Sequence, residues 1–222
     1  MHADPIDPTS TWMYREAAEA ADVVAVQFAR NQGAIAVLAA QLRAAPPPFV
    51  VTCARGSSDH AASYARYLIE TSLGIVTASL SPSIASVYQA PLQLRGALFI
   101  AISQSGRSPD LLHNARAARA AGAHVLALVN VEDSPLAGLA DTVVPLGAGP
   151  ERSVAATKSC LASLAAIAQL VAHWSGDGAL LEALDTLSQA LAEAWRQDWS
   201  PLVDGLVDAH NLFVLGRGPG LA

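Results

Sequence analysis

The sequence predicts an α/β protein built on a five-stranded parallel sheet flanked by helices. Two observations carry that expectation. Short apolar runs at 49–54, 75–79, 97–102, 124–130 and 142–146 alternate with stretches of helical periodicity. The runs are almost uniformly apolar rather than alternating, as in strands buried on both faces, and parallel neighbours need the crossover helices that separate them.

The elements follow in order. From Tyr14 to Arg43 apolar residues recur at helical spacing among Ala, Glu and Gln, and Pro46, Pro47 and Pro48 end the segment, since proline cannot continue a helix. Residues 1–48 are therefore expected to form an N-terminal helical segment of one or two helices. After the third run, Ser108-Pro109-Asp110 supplies a capping hydroxyl, a proline suited to the first helical position and an acid for the first turn, and Gly122 closes that helix. Helices over about 152–173 and 179–195, separated by Gly176-Asp177-Gly178, complete a domain spanning 49–200. A sixth strand-like run at 211–215 precedes Gly216-Arg217-Gly218-Pro219-Gly220, much as the first run precedes Arg55-Gly56-Ser57-Ser58. Residues 201–222 thus read as the opening strand and loop of a second copy of the same domain, and a lone strand and loop cannot fold by themselves.

Composition removes several function classes. Apolar residues make up 52% and charged residues 14% of 222 positions. That balance favours burial against a partner, most simply a second subunit. A net charge of −6 with a single lysine does not suit a reader of nucleic-acid backbones, which needs a basic face. The N-terminus lacks the basic and apolar regions of a secretory signal, and the apolar stretch at 161–174 is interrupted by Ser163, Gln169 and His173 and is too short to span a bilayer. Cys53 and Cys160 lie in apolar surroundings, as buried free thiols of a reducing compartment do. A soluble, cytoplasmic protein without membrane association is expected. The six histidines are scattered, no G-x-x-x-x-G-K-S/T or G-x-G-x-x-G loop occurs, and neither a metal nor another cofactor is implied.

The chemistry concentrates in three loops. Ser103-Gln104-Ser105-Gly106-Arg107-Ser108 lies between a strand and a capped helix, where parallel α/β sheets bind ligands and a helix start offers unpaired N–H groups to an anion. Ser103, Ser105 and Ser108 can donate to phosphate oxygens, Gly106 admits close approach and Gln104 can hold a sugar hydroxyl. Ser108 alone would read as an ordinary cap; the combination points to a phosphate or a sugar. Ser57 and Ser58 follow the first strand in the same way, with Ser58 or Asp59 as candidate caps and His60 as a structural residue of the first helical turn. In the third loop, 149–158, backbone around Val154 to Ala156 can line a sugar, while Glu151 and Lys158 are expected to shape the loop.

The motifs ARGSSDHAA, AISQSGRSPD, NVEDSPLAGLAD and GPERSVAATKS, in this order, resemble the sugar isomerase (SIS) domain. The resemblance is strongest to the isomerase half of glutamine–fructose-6-phosphate aminotransferase, or glucosamine-6-phosphate synthase. It implies a flavodoxin-like three-layer fold, a hexose or amino-hexose phosphate ligand and a homodimer. By position it assigns substrate binding to Ser57, Ser58, Ser103, Gln104, Ser105, Ser108, Val154 and Ala156. Two departures matter. His2 stands where the synthase carries its glutaminase cysteine, so glutamine is not the expected nitrogen source. Arg107-Ser108-Pro109-Asp110 replaces an acidic version of the loop and is similar to stand-alone glucosamine-6-phosphate deaminases.

The implied reaction moves a proton between the first two carbons of an amino-sugar phosphate and releases ammonia, leaving fructose 6-phosphate. The family's acid and base groups lie in its second domain and tail, so the resemblance assigns no catalytic residue here and implies that these 222 residues bind without turnover. Two other functions share the resemblance. A phosphosugar-sensing regulator would carry a basic helix-turn-helix segment, whereas residues 1–48 hold only Arg15, Arg30 and Arg43 as basic side chains beside His2. A keto-aldose isomerase without nitrogen chemistry, or an aminotransferase-type relative without glutaminase activity, is the second.

Overall fold

In a computed structural model of the protein, residues 7–221 are described. His2, and with it the first six positions of the N-terminal segment, lies outside the described residues. The five expected strands form at Val50–Cys53 (β1), Thr77–Ser79 (β2), Leu98–Ser103 (β3), His124–Val129 (β4) and Thr142–Pro145 (β5). All pairs are parallel, in the order β2-β1-β3-β4-β5.

Alternate residues of each strand feed two cores, because successive side chains leave a strand on opposite faces. Leu98, Ile100 and Ile102 of β3 join Leu126 and Leu128 of β4 beneath one helical layer. Phe99, Ala101, Val125, Ala127 and Val129 point the other way. The first layer holds Ala20–Ala44 (α2), Ser57–Leu73 (α3) and Lys158–Ser175 (α7); the second holds Pro109–Ala120 (α5) and Pro135–Leu139 (α6). Helix α7 is buried almost all round, as a helix apolar on every side must be.

The N-terminal segment is two helices, Trp12–Ala18 (α1) and α2. By length and composition α2 is the one helix among the described residues apolar enough to cross a membrane. Its packing shows a core-layer helix instead. Gln27 is buried and donates to the carbonyls of Leu146 and Ala162 at 2.9 and 3.0 Å, and Asn31 donates to that of Pro145 at 2.7 Å. These bonds fasten α2 to the end of β5 and to α7.

Three differences from the sequence expectations have physical causes. Helix α7 starts at Lys158 rather than near Arg152, because carboxylates claim the loop N–H groups that another helical turn would use. Helix α3 is capped by Gly56, at φ 57°, and not by Ser58 or Asp59, which leaves both serines in its first turn. Residues 211–215 form no strand. Phe213, Val214 and Leu215 are more than nine-tenths exposed, and a strand without a hydrogen-bonded neighbour has nothing to hold it. The short helices Ser83–Ser86 (α4) and Ser200–Leu206 (α9), the latter after Gly178–Trp195 (α8), complete the chain.

Candidate functional site

The strand order places a topological switch at β1 and β3. From β1 the chain crosses to β2 on one side, while from β3 it crosses to β4 on the other. The loops leaving these adjacent strands diverge and open a crevice at their carboxyl ends, where ligands of open α/β sheets bind. A cavity of about 250 Å³ lies there, lined by Arg55, Ser57, Ser58, Ile102, Ser103, Gln104, Ser105, Ser108, Leu111 and Ala156. It is smaller than the ~300–1,000 Å³ usual for drug-sized ligands, which suits a compact polar molecule.

Seven of the eight sequence-predicted residues converge on this cavity: Ser57, Ser58, Ser103, Gln104, Ser105, Ser108 and Ala156. Val154 sits in the same loop as Ala156 but is 95% exposed and does not line it. The β3 loop is shaped by its own hydroxyls. Ser103 Oγ accepts from the Gly106 N–H at 3.0 Å, and Ser105 Oγ accepts from the Arg107 N–H at 3.4 Å. The Gly106 carbonyl accepts from the Leu136 N–H at 3.1 Å, pinning the loop to α6. Ser108 occupies the N-cap of α5, yet its side chain caps no N–H group; its hydroxyl donates instead to Asp110 Oδ1 at 3.2 Å. The start of α5 therefore keeps N–H groups available beside the cavity, with the positive end of the helix dipole behind them.

The third loop is held by acids from two directions. Glu151 accepts from the Thr157 and Ser159 N–H groups at 2.9 and 3.2 Å and from the Ser159 hydroxyl. Glu16 of α1 accepts from the Arg152 and Ser153 N–H groups at 2.5 and 3.0 Å and from the Ser153 hydroxyl. Burial pushes the Glu16 carboxyl up, but the bonds from Ser153 and Arg152, aided by the charge of Lys158, outweigh it and hold the group below its ordinary value. Lys158, the sole lysine, is buried and pairs with Glu19 Oε2 at 2.5 Å. The expectation that Glu151 and Lys158 shape the loop matches this geometry.

Sequence reasoning missed Arg55, Asp110, Glu16 and Glu19. Arg55 Nη1 donates to Asp110 Oδ2 at 2.6 Å across 55 positions, and Glu16 reaches Arg152 across 136. In sequence Asp110 is an ordinary first-turn acid, and no local pattern joins such distant partners. Both thiols are held in the protonated form. Burial, with the charges of Asp110 and Asp59, pushes Cys53 up to about 12, and burial with Glu151 raises Cys160. Among the described residues no three His, Cys, Asp or Glu side chains gather as a metal site.

A serine-lined cleft at the switch point of a parallel sheet, beside a helix start, is the arrangement in which α/β domains hold small anionic ligands. Residues 48–173 match the SIS domain, and the chain belongs to that family. It is 40% identical over 144 residues to the glutamine–fructose-6-phosphate aminotransferase (isomerizing) of Symbiobacterium thermophilum, covering 64% of this chain and 23% of that protein. The chain spans roughly a quarter of the length of such curated relatives. The crystal structure of a proposed phosphosugar isomerase from Silicibacter pomeroyi DSS-3 superposes with a TM-score of 0.90 at 44% identity, over 94% of this chain and 64% of that one. The C-terminal domain of glucosamine-fructose-6-phosphate aminotransferase from Francisella tularensis shares the fold at a TM-score of 0.76 and 21% identity, over 99% and 65% of the two chains. The domain is thus related to the isomerase domain of the aminotransferase.

Proposed function

We propose that this chain forms the phosphate-gripping part of an amino-sugar-phosphate deaminase or isomerase. In complete form such a protein would convert glucosamine 6-phosphate and water to fructose 6-phosphate and ammonia. The observation that carries the reading is the convergence of five serines, Gln104 and Arg55 from loops distant in sequence on one cleft of about 250 Å³. Hydroxyls and helix N–H groups bind and orient a phosphate, while Gln104 offers an amide to sugar hydroxyls. None of the lining side chains is a general base near neutral pH, which proton transfer between adjacent carbons requires. The base and acid belong to other parts of the complete enzyme, which the same reading takes to be a homodimer.

The test is calorimetry with this chain, followed by a coupled assay on a form extended by a second domain. Glucosamine 6-phosphate is expected to bind, glucosamine is not, and the chain alone releases no ammonia. Failure to bind removes the assignment of the cleft, and ammonia from the chain alone removes the division of labour. In the extended form, isomerised product without ammonia would make it a plain keto-aldose isomerase, and binding without turnover a sensor. Light scattering at twice the chain mass is expected for that form; a monomer would remove the dimer from the reading.

A further inference from the structure

Arg55 is the single charged side chain lining the cleft, yet its guanidinium is engaged elsewhere, 2.6 Å from Asp110 Oδ2. Lys158 cannot take its place, being buried and paired with Glu19 at 2.5 Å. Asp110 stands in the first turn of α5, where an acid is stabilised by the helix dipole without help from an arginine. A carboxylate there also opposes the arrival of a second anion. A phosphate monoester brings a charge of about −1.5 to −2 near neutral pH, and the one positive side chain of the lining is paired with Asp110.

We propose that Arg55 is a specificity-determining residue that exchanges partners, turning from Asp110 to the phosphate oxygens when a sugar phosphate enters. The exchange needs no rearrangement of the core. The Arg55 side chain is 60% exposed, an exposed ion pair is a weak tie, and a guanidinium fork fits phosphate oxygens as well as carboxylate oxygens. Asp110 keeps a partner after release, because Ser108 Oγ donates to its other oxygen at 3.2 Å. The pair then acts as a filter. A neutral sugar gains nothing from breaking it, whereas a dianion replaces the carboxylate with a stronger partner for the same fork.

This inference rests on the reading of the cleft as a phosphosugar site. Calorimetry with inorganic phosphate and glucosamine 6-phosphate on the wild type, R55A, R55K and D110N tests it, with thermal unfolding confirming that each variant is folded. R55A is expected to weaken both ligands about tenfold or more, the loss of one charge-assisted contact. R55K should recover part of that. D110N should tighten both ligands about threefold or more, because it frees the guanidinium and removes an opposing charge. If Arg55 were only a bridge between the two loops, breaking the bridge from either end would weaken binding alike, and that result overturns the proposal. R55A with wild-type affinity overturns it as well. A wild type that binds neither ligand ends the phosphosugar reading, and this inference falls with it.

Discussion

A Cβ placed on Gly106 would stand 2.2 Å from Ser134 Oγ and 2.9 Å from Val129 Cγ2, at a φ of +63° that side chains other than glycine rarely adopt. The loop after β3 lies that close to the start of α6, and this closeness turns its hydroxyls toward the cleft. Gly106→Ala is therefore expected to cost about 1–3 kcal/mol of stability, from overpacking and a left-handed backbone. It should also weaken glucosamine 6-phosphate binding about tenfold, as the serines move with the loop. Urea unfolding and calorimetry read the two effects; wild-type values in both would show that the loop has room to shift. At this scale the sequence was informative where chemistry is local. Ser103, Gln104 and Ser105 stand together in one string, and all three line the cleft. Arg55 and Asp110 were silent because each has an ordinary local role, and their meeting exists only after β1 and β3 pair.

The strands and α5 were legible as elements because their signals are short-range: apolar runs, a cap, a glycine stop. The start of α7 was not. Residues 152–157 read as helix by periodicity, and what competes with it is Glu151 taking the Thr157 N–H that a helix from 152 would give to the Ser153 carbonyl, while Glu16 holds the Arg152 and Ser153 N–H groups from 136 positions away. Glu16 makes helix α1 a strap for the loop at 149–158, reinforced by Arg152 stacking over the Trp12 ring at 4.5 Å. Its hold depends on pH with a definite sign. The Glu16 carboxyl is lowered from 4.5 in the folded protein. Its contribution is complete above that ordinary value and is lost as pH falls below it, through the lowered folded value. Glu16→Gln should cost about 1–2 kcal/mol at neutral pH, replacing a charged acceptor by a neutral one. The gap between variant and wild type should narrow as pH falls below 4.5. Chemical unfolding at pH 7 and pH 3.5 measures it, and a gap that persists unchanged in acid would mean that the strap does not act through the carboxylate.

For the whole molecule, the layering and the loops of the cleft could be foreseen, but the strand order that joins those loops could not. Apolar runs announce a parallel sheet without giving its order, and the order β2-β1-β3-β4-β5 is what sets the loops after β1 and β3 beside each other. A site assembled from residues 55 to 156 exists only in the folded chain, so a ligand that binds it stabilises the native state by mass action. At a ligand concentration of one hundred times Kd the gain is ~2.7 kcal/mol. For a domain of 150–250 residues each kcal/mol raises Tm by about 2–4 °C, so saturation with glucosamine 6-phosphate should raise it by roughly 5–11 °C. Glucosamine at the same concentration should leave Tm unchanged, because the sugar ring meets few fixed groups without its phosphate anchor. Inorganic phosphate should fall between, its shift smaller as its affinity is lower. Differential scanning calorimetry across the three ligands thus ranks the phosphate against the ring. Equal shifts for glucosamine and its phosphate would place the recognition in the sugar and remove the serine loops from the anion-binding role.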